Sequence, residues 1–128
     1  MIFGAHIMLY SRDAEADRGF FRDVLGMESV DAGHGWLIFA LPPAEMAIHP
    51  GESLNESNQG SEGLAAGTVY LMCRDLKATT AELTAKGVTC GPVQEARWGA
   101  VSSIPLPGGS SLGLYEPHHP LAIESGRT

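Results

Sequence analysis

A chain of 128 residues, 44% of them hydrophobic and with a net charge of −7, has the size and balance of one soluble domain that buries its own core. The acidic balance, with Lys and Arg scattered rather than clustered, excludes a basic face for nucleic acid, whose phosphates it would repel. No apolar run approaches the ~20 residues of a membrane span, and no basic segment leads into an apolar stretch with a cleavage site at the N-terminus. The expectation is a cytoplasmic protein that partners neither membrane nor nucleic acid.

In chain order, residues 3–10 read as a strand. Ser11 or Asp13 caps a helix whose Phe20, Phe21, Val24 and Leu25 share one face, and Gly26 supplies its left-handed stop. Residues 28–32 and 36–41 read as strands joined by a turn at Ala32-Gly33-His34-Gly35, which makes His34 a turn residue. Residues 45–49 form a fourth strand after Pro42-Pro43. Residues 50–63 are rich in Gly, Ser, Asn and Glu and have no apolar period, as a linker does.

The second half repeats the order. Residues 68–73 read as a strand and 75–86 as a helix with Leu76, Thr79, Thr80 and Leu83 on one face, closed by Gly87. Residues 89–94, 99–104 and 111–116 read as strands, the last two joined by a turn at Pro105-Leu106-Pro107-Gly108-Gly109. The tail, with His118 and His119, reads as solvated surface. Arg12-Asp13 and Arg74-Asp75 end matching apolar decapeptides, at an offset of 75 − 13 = 62 residues. A period of that length is a whole folding unit duplicated once. The chain therefore divides into a first module at 3–50, a linker at 51–66, a second module at 67–117 and a tail at 118–128.

Each module is βαβββ. One helix covers one face of a four-stranded sheet and leaves the other face to line a trough between the modules. Strand period puts Ala5, Ile7 and Leu9 under the helix and His6, Met8 and Tyr10 toward the trough. Tyr70, Met72 and Tyr115 face it from the second module. Cys73 and Cys90 are the only cysteines, without a Cys-x-x-Cys pattern, and read as buried thiols of a reducing compartment.

The duplicated βαβββ order, Phe20-Phe21-Arg22-Asp23-Val24-Leu25-Gly26-Met27, Trp98-Gly99 before a strand, and Pro107-Gly108-Gly109 before the last strand resemble the vicinal oxygen chelate superfamily. That superfamily includes glyoxalase I, bleomycin resistance proteins, fosfomycin resistance enzymes, methylmalonyl-CoA epimerase and extradiol dioxygenases. The resemblance covers residues 3–117. It implies an α+β fold of two βαβββ modules forming an incomplete barrel around a cavity, often as a homodimer. It also implies metal ligands at four equivalent points, on the first and last strand of each module.

Those points fall on His6 and His49 in the first module and on Thr68 and Gly113 in the second. A divalent metal (Ni, Zn, Fe or Mn) would thus have His6 and His49 and too few further donors. Glu116 lies three residues past Gly113, so strand parity turns it to the other face unless a bulge intervenes. A glyoxalase-like base on the last strand is missing, because Gly113 has no side chain.

Met8, Trp36, Tyr70, Met72, Trp98 and Tyr115 suit a slot for a flat, partly apolar molecule, or packing between sheets. Arg97 suits an anionic substituent or a surface ion pair. The expected function is small-molecule binding of the bleomycin resistance type without a complete metal site. The alternatives are a divergent metal-dependent lyase, isomerase or dioxygenase using His6 and His49, and a non-catalytic interaction or regulatory domain.

Overall fold

The computed structural model describes residues 1–48, 50 and 65–124. His49 and most of the expected linker lie outside the described residues.

Helix α1 (Ala14–Asp23) begins where Asp13 accepts a hydrogen bond from the Ala16 amide, satisfying a donor that the helix cannot satisfy itself. The Ser11 hydroxyl in turn accepts from the Asp13 amide. Glu15 and Asp17 occupy the first turn, where negative charge opposes the helix dipole favourably. Gly26 (φ +69) reverses the chain into a hairpin of β1 (Ser29–Asp31) and β2 (Leu37–Phe39). The hairpin turn runs through Gly33, His34 and Gly35, all with positive φ, and the Asp31 carboxylate fixes it by accepting from the Gly33 amide at 2.7 Å.

The second module supplies β3 (Tyr70–Met72), α2 (Leu76–Ala85), β4 (Gln94–Ala96), β5 (Gly99–Pro105) and β6 (Ser111–Pro117). Asp75 caps α2 at the Ala78 amide as Asp13 caps α1, so the repeated Arg-Asp pair does the same work twice. The sheet order is β3-β6-β5-β4, with β3 parallel to β6 and the other pairs antiparallel. A tight turn links β5 and β6, closed by the Leu106 amide on the Ser110 carbonyl. A short 3-10 turn (Ala122–Glu124) ends the described chain. Among the described residues, two α-helices and two open sheets give the mixed α+β architecture expected, as an open rather than a closed barrel.

Among the described residues the buried apolar core is Leu76, Leu83, Val88, Ala100, Ile104, Leu106, Leu112 and Leu114, all from the second module. Parity on β6 sends Leu112 and Leu114 down to α2, and α2 returns Leu76 and Leu83, seven residues apart on one face. Phe20 and Phe21 of helix α1, with Val24 and Leu25 just past its end, pack against the same core. Phe21 also touches Phe39 of β2 (ring centroids 5.7 Å apart), so α1 holds the first hairpin to the second module.

The first module differs from expectation at its outer strands. Residues 3–10 carry no strand, and residues 1–10 are all exposed. In the second module the first strand pairs with the last, β3 with β6. The equivalent partner of residues 3–10 would be residues 45–49, and 45–48 carry no strand either. Apolar sequence gives strand propensity, but a strand exists only where a neighbouring edge takes up its amides and carbonyls.

Candidate functional site

The side of the second sheet away from α2 carries an aromatic strip. Tyr70 on β3 and Tyr115 on β6 have ring centroids 5.8 Å apart, and Trp98, in the two-residue turn between β4 and β5, lies 5.6 Å from Tyr115. Such tilted pairs gain from quadrupole complementarity as well as from area. Tyr70 and Trp98 remain about half exposed, at 48% and 51%.

Two glycines seat these rings. Gly113 is the register partner of Tyr70, and a Cβ there would run into the Tyr70 ring. A Cβ at Gly99 would stand 2.6 Å from Cε1 of Tyr115 and 2.5 Å from the Glu116 carbonyl oxygen. Gly113, the position where the family pattern asks for a metal ligand, is in this chain the bed on which Tyr70 lies. The Tyr115 hydroxyl donates to the Trp98 carbonyl at 3.2 Å, and the His118 amide donates to the same oxygen at 2.9 Å. Burial, and then the Glu45 carboxylate and Tyr70, push the Tyr115 phenol above its ordinary range, so it is a neutral hydrogen-bonding group at pH 7.

The structure thus brings together Tyr70, Trp98 and Tyr115, with Met72 as the register partner of Tyr115. The other expected site residues that are described take no part in these ring contacts, though Arg97 neighbours Trp98 in the chain. Met8 is in the exposed N-terminal segment. Trp36 enters the first hairpin with the Arg18 guanidinium 4.7 Å from its ring centroid, a cation–π contact. Arg97 is exposed in the turn beside Trp98.

His6 lies in the exposed N-terminal segment, and His49 is outside the described residues. Glu116 is on the α2 side of β6. Its Oε1 accepts from the Leu76 amide at the start of α2, at 2.8 Å, and its Oε2 lies 2.7 Å from His118 Nε2. The Leu76 bond first, and His118 second, hold the Glu116 carboxyl below its ordinary range. Among the described residues no three His, Cys, Asp or Glu side chains gather as metal donors. The candidates that are described, His6 and Glu116, are not gathered with a third such donor.

Cys73 donates weakly to the Tyr115 carbonyl at 3.7 Å. Burial pushes its thiol up; a hydrogen bond with Thr79 opposes this, and the charges of Glu116 and Asp75 reinforce it. A protonated thiol is a poor nucleophile.

Sequence reasoning missed His119 and Glu45. The tail was expected to be solvated, but the His119 ring lies against Tyr115 with centroids 5.7 Å apart. Glu45, only 17% exposed, sets Oε2 4.0 Å from His119 Nε2 and accepts from the Ala122 amide at 2.8 Å through Oε1. No periodicity marks a contact between segments 77 residues apart. A cleft of about 320 Å³ lies between this tail and the end of β3, lined by Cys73, Arg74, His119 and Leu121 among others. A second, of about 270 Å³, opens between α1, α2 and β3, with Val24, Leu25, Met72 and Leu83 in its wall. No helix of the described residues is long and apolar enough to cross a membrane.

A search of curated proteins finds no match. Among solved structures, the chain is similar to TnmS3, an antibiotic binding protein from Streptomyces sp. CB03234, at 22% identity and a TM-score of 0.57, covering 91% of this chain and 99% of that one. It is similar to lactoylglutathione lyase from Agrobacterium tumefaciens at 20% identity and a TM-score of 0.56, covering 88% and 94%. A glyoxalase/bleomycin resistance protein from Streptomyces sp. CB03234 shares 21% identity at a TM-score of 0.52, covering 82% and 92%. At these identities the likeness is one of fold. The sequence profile of the Glyoxalase/Bleomycin resistance protein/Dioxygenase superfamily matches residues 5–107, most of the chain, and the chain belongs to that superfamily.

Proposed function

We propose that this protein binds a flat, partly apolar small molecule on the Tyr70–Tyr115–Trp98 strip, without needing a metal. The observation that carries this is the glycine-seated strip: a part-buried Tyr115 in contact with Tyr70 on one side and Trp98 on the other, both about half exposed, where a closed core would bury aliphatic side chains. Aromatic faces take up flat ligands by stacking, and the Tyr115 hydroxyl and neighbouring carbonyls supply polar anchors. The antibiotic-binding protein of similar fold supports the class of ligand. Binding and release, with no covalent step, is all that the described side chains require.

The test is binding of the neutral fluorophore N-phenylnaphthylamine, followed by its emission. Trp98→Ala and Tyr115→Leu should each weaken binding about fivefold or more, the loss of one stacked ring. Unchanged affinity in both variants overturns the assignment.

The proposed working form is a cytoplasmic homodimer. Phe3, Ile7, Met46 and Ile48 of the first module are all exposed, and a second copy would cover them. Free Cys73 and Cys90 suit a reducing compartment. Sedimentation should give twice the chain mass of 13.5 kDa, and a monomer at micromolar concentration would rule the dimer out.

A further inference from the structure

The chain leaves β6 beside Trp98 and turns back over the end of the aromatic strip. The backbone bond from His118 to the Trp98 carbonyl forms the hinge. Beyond it the tail is held by a small set of polar contacts. His119 lies on Tyr115, Glu45 takes the Ala122 amide, and Arg74 pairs with Glu124 at 2.7 Å. None of residues 117–124 is buried. Arg74 is 84% exposed, and ion pairs in that setting add little stability. The cleft of about 320 Å³ beneath the tail shows that it is not packed down. A segment with few buried contacts and exposed polar anchors opens at low cost.

We infer that residues 118–124 are a strap that swings away from the aromatic strip to admit a ligand, hinged at Pro117 and latched by Glu45 and by the Arg74–Glu124 pair. This rests on the strip being the binding surface. The latch joins both modules, since Glu45 comes from the first and Arg74 from the second. The strap is thus released by changes in either module. Closed, it sets the His119 ring where a flat ligand would stack on Tyr115. Open, it exposes the Tyr115 ring.

The test uses the full chain, Arg74→Ala, Glu45→Ala, and a chain ending at Pro117, all in a Trp36→Phe background so that emission reports Trp98. Release of the latch should raise acrylamide quenching of Trp98 and speed N-phenylnaphthylamine association about two- to fivefold, the range set by one exposed polar pair. Arg74→Ala keeps the experiment decisive if the shortened chain does not fold. Equal quenching and equal association rates in all four proteins overturn the strap. If the fluorophore binds none of them while quenching still rises in the variants, the binding assignment falls and the strap stands.

Discussion

The Asp17 carboxylate and the Gly108 amide are separated by 91 residues of chain and by 2.7 Å in space. Asp17 is only 7% exposed, and Gly108 is buried with it. A Cβ at Gly108 would meet the Ser11 hydroxyl and stand 2.6 Å from Oδ2 of Asp17, so glycine is what lets the turn approach α1. One carboxylate thus joins the first helix to the β5–β6 turn. Asp17→Ala leaves the Gly108 amide buried without its acceptor. It should cost about 1.5–3 kcal/mol in urea unfolding, the range for a hydrogen bond to a charged group. A loss under about 0.5 kcal/mol would show that the turn does not depend on this anchor.

The glycine seats differ in what an added methyl would strike. At Gly113 it meets only the Tyr70 ring, which can move aside, so Gly113→Ala should disturb binding more than stability. At Gly99 it meets the Glu116 carbonyl, which cannot, and Gly99→Ala should lower stability by about 1–3 kcal/mol as overpacking does. Gly19, inside α1 with nothing within 4 Å of the added position, is the control. Gly19→Ala should raise stability by about 0.5–1 kcal/mol through helix propensity. Thermal melts of the three variants check the order, and a stabilised Gly99→Ala would contradict it.

The duplicated caps offer a matched pair. Asp13→Ala and Asp75→Ala each remove an acceptor for the amide of the third helix residue, at the same 3.1 Å. Each should cost about 1 kcal/mol. Asp75→Ala should lower the melting temperature of the whole chain, because α2 buries Leu76 and Leu83 in the core. A chain indifferent to both substitutions would deny the caps a structural role.

Acid should act through Glu116. Its carboxyl is held low in the folded state by the Leu76 amide and then by His118. A depressed folded value means the stabilisation is complete above the ordinary carboxylate range and is lost as pH falls through the folded value. Glu116→Gln should therefore be less stable than the parent at pH 7. The gap should close in acid, as pH falls through the lowered folded value and the parent carboxyl takes up its proton. Melting temperatures from pH 3 to pH 7, scanned in steps of about one unit, check the convergence. A gap that widens in acid would reverse the sign.

What could be read in advance was local. Asp13, Asp75, Gly26 and Gly87 mark helix ends by their own chemistry, and both helices lie where those residues put them. The alternation from Ser111 to Glu116 sorted Tyr115 from Leu112 and Leu114 without knowledge of any partner. Residues 3–10 failed because apolar content says that a strand is favoured, not which edge receives it. His119 and Glu45 failed for a related reason. Their meeting depends on where the chain returns after β6, and neither carries a pattern in its neighbours. Gly113 was legible as a missing ligand, while its role as the bed of Tyr70 needed the register of β3 on β6.

All eight buried apolar residues of the described chain fall between positions 76 and 114. Residues 76–114 are therefore the keel, and the N-terminal segments are moored to it by α1, Asp17 and Phe21. Substitutions at solvent-facing positions in 28–48 leave the keel untouched. Positions on that outer surface can thus change without loosening what keeps the chain folded.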